Sequence, residues 1–219
     1  MEKKTKLRIF TSVLLLTLLV AVFISKFFLI YILLTTSVIS TLEFTAATKK
    51  IKFKISYTRY LSNLLFILYI FGFSILFYIF SVISNVKLTL FFAIIICVFS
   101  DIGGFVVGKR FNGPKLTSIS PNKTIYGSLG SLFFSLVAAF IFFIIEPGVD
   151  LELLIIFAIT VSIGCQLGDI LFSFFKRKAK IKDYGKILPG HGGILDRIDG
   201  ILIGVPFGVI TLITYVNFI

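Results

Sequence analysis

The sequence predicts an all-α, polytopic membrane protein, a bundle of about seven transmembrane helices with its N-terminus in the cytoplasm. Of its 219 residues, 58% are hydrophobic and only 15% are charged, whereas soluble domains carry about 25% charged residues. The hydrophobic residues form long unbroken runs rather than the single stripe of a surface helix. Helices that are apolar on every face need lipid around them, which excludes a soluble globular fold.

Seven apolar runs supply the predicted helices, because each is close to the roughly 20 residues that cross a bilayer. Along the chain they are Leu7–Ile24, Phe27–Ala47, Leu61–Ile83, Leu88–Val107, Gly127–Ile145, Leu151–Phe174 and Ile198–Phe218. The first run is followed at once by the second without a small-residue cleavage site, which indicates a retained helix rather than a signal peptide. We interpret 1–219 as one membrane domain, with N-terminal helices in 1–87 and the candidate functional residues in 88–219.

The distribution of positive charge predicts the orientation of these helices. The net charge is +12, and of the 22 lysines and arginines all but Lys26 and Lys87 lie in the segments 1–8, 49–59, 109–123 and 176–197. These segments lie on one side of the predicted membrane, and cytoplasmic loops carry such an excess. We therefore expect a cytoplasmic N-terminus, and membrane lipids rather than nucleic acid as the partners of the basic residues.

Carboxylates in or beside the apolar runs are the first candidate functional residues, because a charge inside a membrane is costly and usually has a role. Asp101 lies in the fourth run and Asp169 in the sixth, while Asp196 and Asp199 open the seventh. A spacing of three residues puts Asp196 and Asp199 on one helix face, where they are suited to Mg²⁺ or, equally, to a helix N-terminus with Arg197 or nearby lysines as partners. For Asp169 the alternative is a polar contact with Gln166.

Glycines accompany these carboxylates. Gly164 and Gly168 form a GxxxG pattern, which indicates close helix packing. Gly190, Gly192 and Gly193 surround the single histidine, His191, and their backbone N–H groups are suited to phosphate. The alternative is a simple turn in which His191 donates to a carbonyl. The neighbouring lysines are also suited to anionic lipid headgroups. Cys97 and Cys165 have no metal-site spacing and are interpreted as core residues.

The segment SFFKRKAKIKDYGKILPGHGGILDRID, residues 173–199, resembles the signature of the phosphatidate cytidylyltransferases, also called CDP-diacylglycerol synthases. An upstream segment from Asp101 to Thr124, containing Ser-Pro-x-Lys-Thr, resembles a second motif of that family, and Gln166–Asp169 resembles the residues just before the signature. The matching signature positions are Ser173, Lys176, Arg177, Lys182, Asp183, Gly185, Pro189, His191, Gly192, Gly193, Asp196, Arg197 and Asp199.

The resemblance implies a membrane enzyme that uses Mg²⁺, CTP and phosphatidic acid to make CDP-diacylglycerol and pyrophosphate for phospholipid biosynthesis. The orientation predicted from the charges independently places such a site on the cytoplasmic face of the cell membrane, where CTP is. It implies that the metal is held by Asp169, Asp196 and Asp199. Asp101 would order the pocket or support a second cation. The sequence leaves open whether the chain forms a homodimer.

The remaining site residues follow from the same resemblance. Those expected in catalysis, beside the three metal ligands, are Lys176, Arg177, Lys182, Asp183, His191 and Arg197. Those expected to bind the nucleotide and phosphates are Ser120, Lys123, Thr124, Ser173, Gly190, Gly192 and Gly193.

Two other functions compete with this reading. One is another CTP-dependent membrane lipid enzyme, either a lipid-alcohol kinase or a cytidylyltransferase for a different lipid. The other is a lipid-binding or transport protein without chemistry, which has no need for three carboxylates near a glycine turn.

Overall fold

The computed structural model describes residues 2–53, 55–111, 113–121, 123–146, 148–190 and 192–218, without the side chains of 2–10, 12, 56, 84, 85 and 216–218. Within these residues the chain forms seven helices and no strand beyond two isolated bridges. In chain order the helices are α1 (Glu2–Ile24), α2 (Lys26–Thr48), α3 (Ser56–Val82), α4 (Ser84–Phe111), α5 (Ile125–Ile145), α6 (Leu151–Lys178) and α7 (Leu195–Phe218).

Each predicted apolar run has become a helix, and several helices extend past the apolar residues. α6 continues beyond Phe174 into a last turn made of Lys176, Arg177 and Lys178, where cations are favoured by the negative end of the helix dipole. Among the described residues, α2 to α7 are long and apolar enough to cross a membrane, while α1 contributes the shorter stretch Val13–Ile24. The polytopic helical membrane fold is confirmed, and a seventh span in α1 stays a prediction.

The chain divides into two compact units. The first contains Met1–Ile83 with Phe175–Ile198, and the second contains Ser84–Phe174 with Asp199–Ile219. The long loop before α7 therefore groups with the N-terminal helices, although it lies far from them in sequence. The prediction of a single domain, divided at residue 87, stays a prediction.

In the first unit, small and aromatic side chains hold α2 against α3 and the end of α6. The hydroxyls of Ser37 and Ser74 are 2.7 Å apart. The ring of Phe44 stacks on Phe66 with centroids 4.1 Å apart, and it meets Phe175 edge-on at 5.3 Å. Phe44 thus joins α2 to α3 and to the end of α6.

In the second unit, glycines let helices approach closely. A Cβ on Gly103 of α4 would lie 2.3 Å from the carbonyl oxygen of Gly130 in α5, which leaves no room for a side chain. Gly164 of α6 also lies close to Gly204 of α7, with 3.0 Å from its would-be Cβ to the Gly204 Cα. The close packing predicted for Gly164 and Gly168 is confirmed, since Gly168 lies against the carbonyl oxygen of Asp199.

Buried polar contacts complete the second unit. The hydroxyls of Ser100 and Ser162 are 3.0 Å apart, and Ser131 donates to the Ser100 carbonyl at 2.8 Å.

At the other end of the helices, the exposed Tyr215 hydroxyl donates to Asp150. That bond and a second from the Glu152 N–H lower the pKa of the Asp150 carboxyl below its usual value. Cys97 and Cys165 are buried free thiols, as expected of core residues.

Candidate active site

A short hairpin between α4 and α5 positions two of the predicted site residues. The Leu116 N–H donates to the Lys123 carbonyl at 2.8 Å, and the Ile125 N–H donates to Pro114 at 2.9 Å. Thr124 then caps α5, because its hydroxyl oxygen accepts from the Gly127 N–H at 3.0 Å; threonine is a favoured residue there. Lys123 and Thr124 are therefore held at the start of α5.

These residues line a cavity of about 200 Å³ in the second unit. Its wall contains charged, hydroxyl and amide side chains from three helices and the hairpin, which is unusual for a segment of helix expected to lie in a membrane. The polar residues of the wall are Asp101, Lys123, Thr124, Ser128, Ser131, Gln166 and Asp169.

An ion pair joins the hairpin to α6 inside this cavity. Lys123 Nζ lies 2.6 Å from Asp169 Oδ2, and both side chains are about a quarter exposed. Gln166, which sequence reasoning considered as a partner of Asp169, instead accepts from the Ser128 hydroxyl at 2.5 Å. The cavity thus presents a lysine and a carboxylate that are held together but remain open to a ligand.

Asp199 lies in the same unit, at the point where α7 passes α6. It is buried, and its Oδ1 accepts from the Gly200 N–H at 3.0 Å. Asp169 Oδ1 lies 3.4 Å from where a Cβ of Gly200 would be. Because Gly168 and Gly200 have no side chains, the Asp169 carboxylate lies directly beside the residue that follows Asp199.

In the first unit, the loop between α6 and α7 closes with a tight turn. The Leu188 N–H donates to the Gly192 carbonyl at 2.9 Å, and the Gly192 N–H donates back at 3.2 Å. Gly190 and Gly192 have φ angles of 78° and 87°, a conformation that glycine adopts without strain. The turn predicted around PGHGG is present, and His191 lies outside the described residues.

Asp196 is bonded through both of its carboxylate oxygens. Its Oδ1 lies 2.9 Å from Lys176 Nζ, and its Oδ2 accepts from the N–H groups of Tyr184 and Gly193 at 2.7 and 3.0 Å. The bond from Gly193 links the first turn of α7 to the loop three residues earlier. Asp196 therefore closes the loop onto the first turn of α7 and neutralises Lys176.

The remaining predicted residues lie in the hairpin, at the end of α6, in the loop before α7 and in the first turn of α7. Ser120 is buried in the hairpin, and Ser173 is half-buried on α6. Arg177, Lys182, Asp183 and Arg197 are exposed. Their roles in binding and catalysis stay predictions.

The carboxylate oxygens of the second unit are the type of ligand that a hard divalent cation prefers. Mg²⁺ is usually bound by one or two carboxylates, waters and substrate phosphates, and the cavity wall supplies Asp101 and Asp169. Within the described ranges, no three Asp, Glu, His or Cys side chains are grouped closely enough to hold a metal. Asp169 and Asp199 belong to the second unit and Asp196 to the first, and their shared metal site stays a prediction.

Sequence reasoning missed Glu43. This residue lies in α2 and is only 6% exposed. Its carboxylate accepts hydrogen bonds from the N–H groups of Ile194, in the loop before α7, and Leu195, the first residue of α7. Its position inside the second apolar run is itself a signal, because the rule that singled out Asp101 and Asp169 applies equally to it.

The fold and the cavity define a multi-pass helical membrane protein with a charged cavity among its helices. The sequence matches the cytidylyltransferase family over residues 2–215, and the chain belongs to that family.

Curated relatives match a little over half of the chain. A phosphatidate cytidylyltransferase of Staphylococcus saprophyticus is 42% identical over 124 residues, which are 56% of this chain and 48% of that protein. One from Bacillus subtilis is 41% identical over 120 residues, which are 54% of this chain and 45% of that protein. The chain thus spans about half the length of the curated relatives it matches.

Proposed function

We propose that the protein transfers the cytidylyl group of CTP to phosphatidic acid, giving CDP-diacylglycerol and pyrophosphate. The observation that carries this proposal is the cavity of the second unit, where Lys123 is held 2.6 Å from Asp169 beside a helix N-terminus. Membership of the cytidylyltransferase family and the names of the relatives support the same reaction.

The chemistry needs little covalent help from the protein. An oxygen of the phosphatidate phosphate forms the new bond to the α-phosphorus of CTP, and the bond from that phosphorus to pyrophosphate breaks. The nucleophile is already an anion, so the protein contributes position and charge compensation. In the proposed mechanism Ser120, Lys123 and Thr124 orient the nucleotide phosphates from the hairpin. Lys176, Arg177, Lys182 and Arg197 balance the charge of pyrophosphate and lipid phosphate.

The glycine turn has a separate role in this mechanism. The backbone N–H groups near Gly190, Gly192 and Gly193 approach the phosphates, and His191 and Asp183 contribute from the same loop. Ser173 binds at the end of α6. The positive φ angles at Gly190 and Gly192 support this role, because they let the backbone make a tight turn close to an anion. The N–H groups of Gly192 and Gly193 donate to the Leu188 carbonyl and to Asp196, and they would exchange these partners for phosphate oxygens.

We propose Mg²⁺ as the cofactor, held by Asp169, Asp196 and Asp199, with Asp101 supporting the pocket or a second cation. A bound Mg²⁺ would neutralise phosphate oxygens during the transfer. The kind of donor supports this assignment, since all these ligands are carboxylates. Lys123 and Lys176, which pair with Asp169 and Asp196, would turn to the phosphates when the carboxylates bind metal.

The assay is direct. Purified protein in detergent, given CTP labelled on the cytosine, phosphatidic acid and Mg²⁺, is expected to form labelled lipid and equimolar pyrophosphate, and chelation of Mg²⁺ should stop both. A lipid-alcohol kinase would instead release labelled CDP and leave the lipid without the cytidine label. Failure to form labelled lipid with any of several phosphorylated lipid acceptors would refute the proposed function.

We also propose that the active site faces the cytoplasm, on the side to which the basic loops belong. Because both native cysteines are buried, a cysteine introduced at the surface reports its own location. In intact cells, Glu146→Cys between α5 and α6 should react with an impermeant thiol reagent, whereas Lys178→Cys at the end of α6 should react only after lysis. The reverse pattern would contradict the orientation.

A further inference from the structure

A buried carboxylate from the N-terminal half of the chain lies against the start of α7. Glu43 Oε2 accepts from the Leu195 N–H at 2.8 Å, and Oε1 accepts from the Ile194 N–H at 3.2 Å. The first N–H groups of a helix have no partner within that helix, and a negative charge is favoured there by the helix dipole. Glu43 therefore caps α7 from a helix more than 150 residues away in sequence.

Two glycines of the loop form the space that the carboxylate occupies. A Cβ on Gly185 would lie 2.0 Å from Glu43 Oε1, and one on Gly193 would lie 2.5 and 2.6 Å from the two carboxylate oxygens. Neither glycine has the positive φ found at Gly190 and Gly192. At positions 185 and 193, glycine is thus needed to leave room for the Glu43 carboxylate and not to allow an unusual backbone conformation.

The same loop is held from within by Asp196. Gly193 donates its N–H to Asp196, while the next two N–H groups, those of Ile194 and Leu195, donate to Glu43. Phe44, adjacent to Glu43, packs edge-on against Phe175 at 5.3 Å and lies 6.4 Å from the Tyr184 ring. Three consecutive backbone N–H groups are therefore divided between the carboxylates of Asp196 and Glu43. The position of Glu43 is fixed by the aromatic packing of its neighbour Phe44.

We propose that Glu43 is a positioning residue for the candidate active site: by capping α7 it fixes the loop that carries Gly193 and Asp196. This role in turnover rests on the proposed function, whereas the capping contact itself does not. Glu43 touches only the backbone of the loop in these contacts and is not a catalytic residue.

The first readout is hydrogen exchange in detergent, which needs no activity. Glu43→Ala removes both acceptors, and we expect the amides of Ile194 and Leu195 to exchange at least about tenfold faster, since hydrogen bonds to charged groups are the stronger ones. Glu43→Gln keeps the size and one acceptor oxygen, and should give an intermediate increase even if the alanine variant folds poorly. Glu146→Ala, which removes an exposed carboxylate, should leave both amides unchanged.

The second readout is the steady-state kinetics of the same variants. Removing a residue that orients active-site groups without touching the substrate typically lowers activity about 10–100-fold. We expect Glu43→Ala to lower kcat by that factor with little change in KM. In the wild-type background Gly193→Ala should lower kcat, because its methyl group meets Glu43. In the Glu43→Ala background the same change should lower kcat by a smaller factor, since the carboxylate is gone.

The outcomes separate this inference from the proposed function. Unchanged amide exchange in both Glu43 variants overturns the capping contact. Faster exchange with unchanged kcat overturns the positioning role. If the wild-type protein transfers no cytidylyl group, the proposed function fails. Two measurements then still decide whether Glu43 holds the loop: the hydrogen exchange of the Glu43 variants, and the thermal stability of Gly193→Ala with and without Glu43→Ala.

Discussion

Replacing Asp169 with asparagine is expected to lower kcat for cytidylyl transfer by about 10²–10³-fold, the effect of removing one preorganised electrostatic group from an active site. The asparagine has nearly the same shape, so the cavity keeps its form. It loses the negative charge that holds Lys123 at 2.6 Å and that would bind the metal. Both the position of the lysine and the charge balance of the site change at once.

The measurement is a comparison of kcat, KM and thermal stability for Asp169→Asn, Lys123→Gln and the double variant. Because both side chains are partly exposed, the pair is worth at most about 1 kcal/mol to folding, and the thermal midpoints should change little. The kinetic losses should be much less than additive, since the two groups act together. Glu146→Gln, which removes an exposed carboxylate at the end of α5, should retain full activity. Full activity in Asp169→Asn would remove Asp169 from the site.

Replacing Gly103 with alanine is expected to destabilise the second unit by about 1–3 kcal/mol, the usual cost of forcing extra volume into a packed interface. The new methyl group would lie 2.3 Å from the Gly130 carbonyl oxygen and 2.8 Å from Cβ of Phe134. The first of these atoms belongs to the backbone, so α4 and α5 must separate. Asp101 and Gly104, which line the cavity, would move with α4.

The matched control is Gly72→Ala in α3, where no atom lies within 4 Å of the added methyl group. Alanine is the better helix former by about 0.5–1 kcal/mol, so this variant should be as stable as the wild type or slightly more so. A thiol-reactive fluorogenic dye can follow unfolding, because the two cysteines of the chain are buried and free. Equal unfolding temperatures for the two alanine variants would contradict the close contact between α4 and α5.

The helices were largely predictable because their cause is local. A run of apolar residues long enough for a bilayer forms a helix whatever it packs against, since backbone groups in lipid must bond within the segment. The differences lie at the ends, where α6 continues through Lys176, Arg177 and Lys178. Those residues are too polar to be counted in an apolar run, yet they are favourable in a last helical turn.

The site was only partly predictable. The motif residues Lys123 and Asp169 were both singled out from the sequence as site candidates, but their pairing was not predicted, because nothing in either segment indicates which of several lysines and carboxylates meet. Asp196 was singled out as well. Its dual role, with one oxygen on Lys176 and the other on two backbone N–H groups, depends on how the loop folds back over the start of α7.

The sequence by itself determined that this chain is a helical membrane protein, where its helices lie, and which loops carry the residues predicted to bind phosphate. Only the tertiary structure decided which groups neutralise one another: Lys123 with Asp169, Lys176 with Asp196, and Glu43 with the first N–H groups of α7. The physical reason is range. Helix formation in a membrane depends on neighbouring residues, whereas a buried carboxylate is stabilised by whichever donors the packing of distant segments brings within about 3 Å.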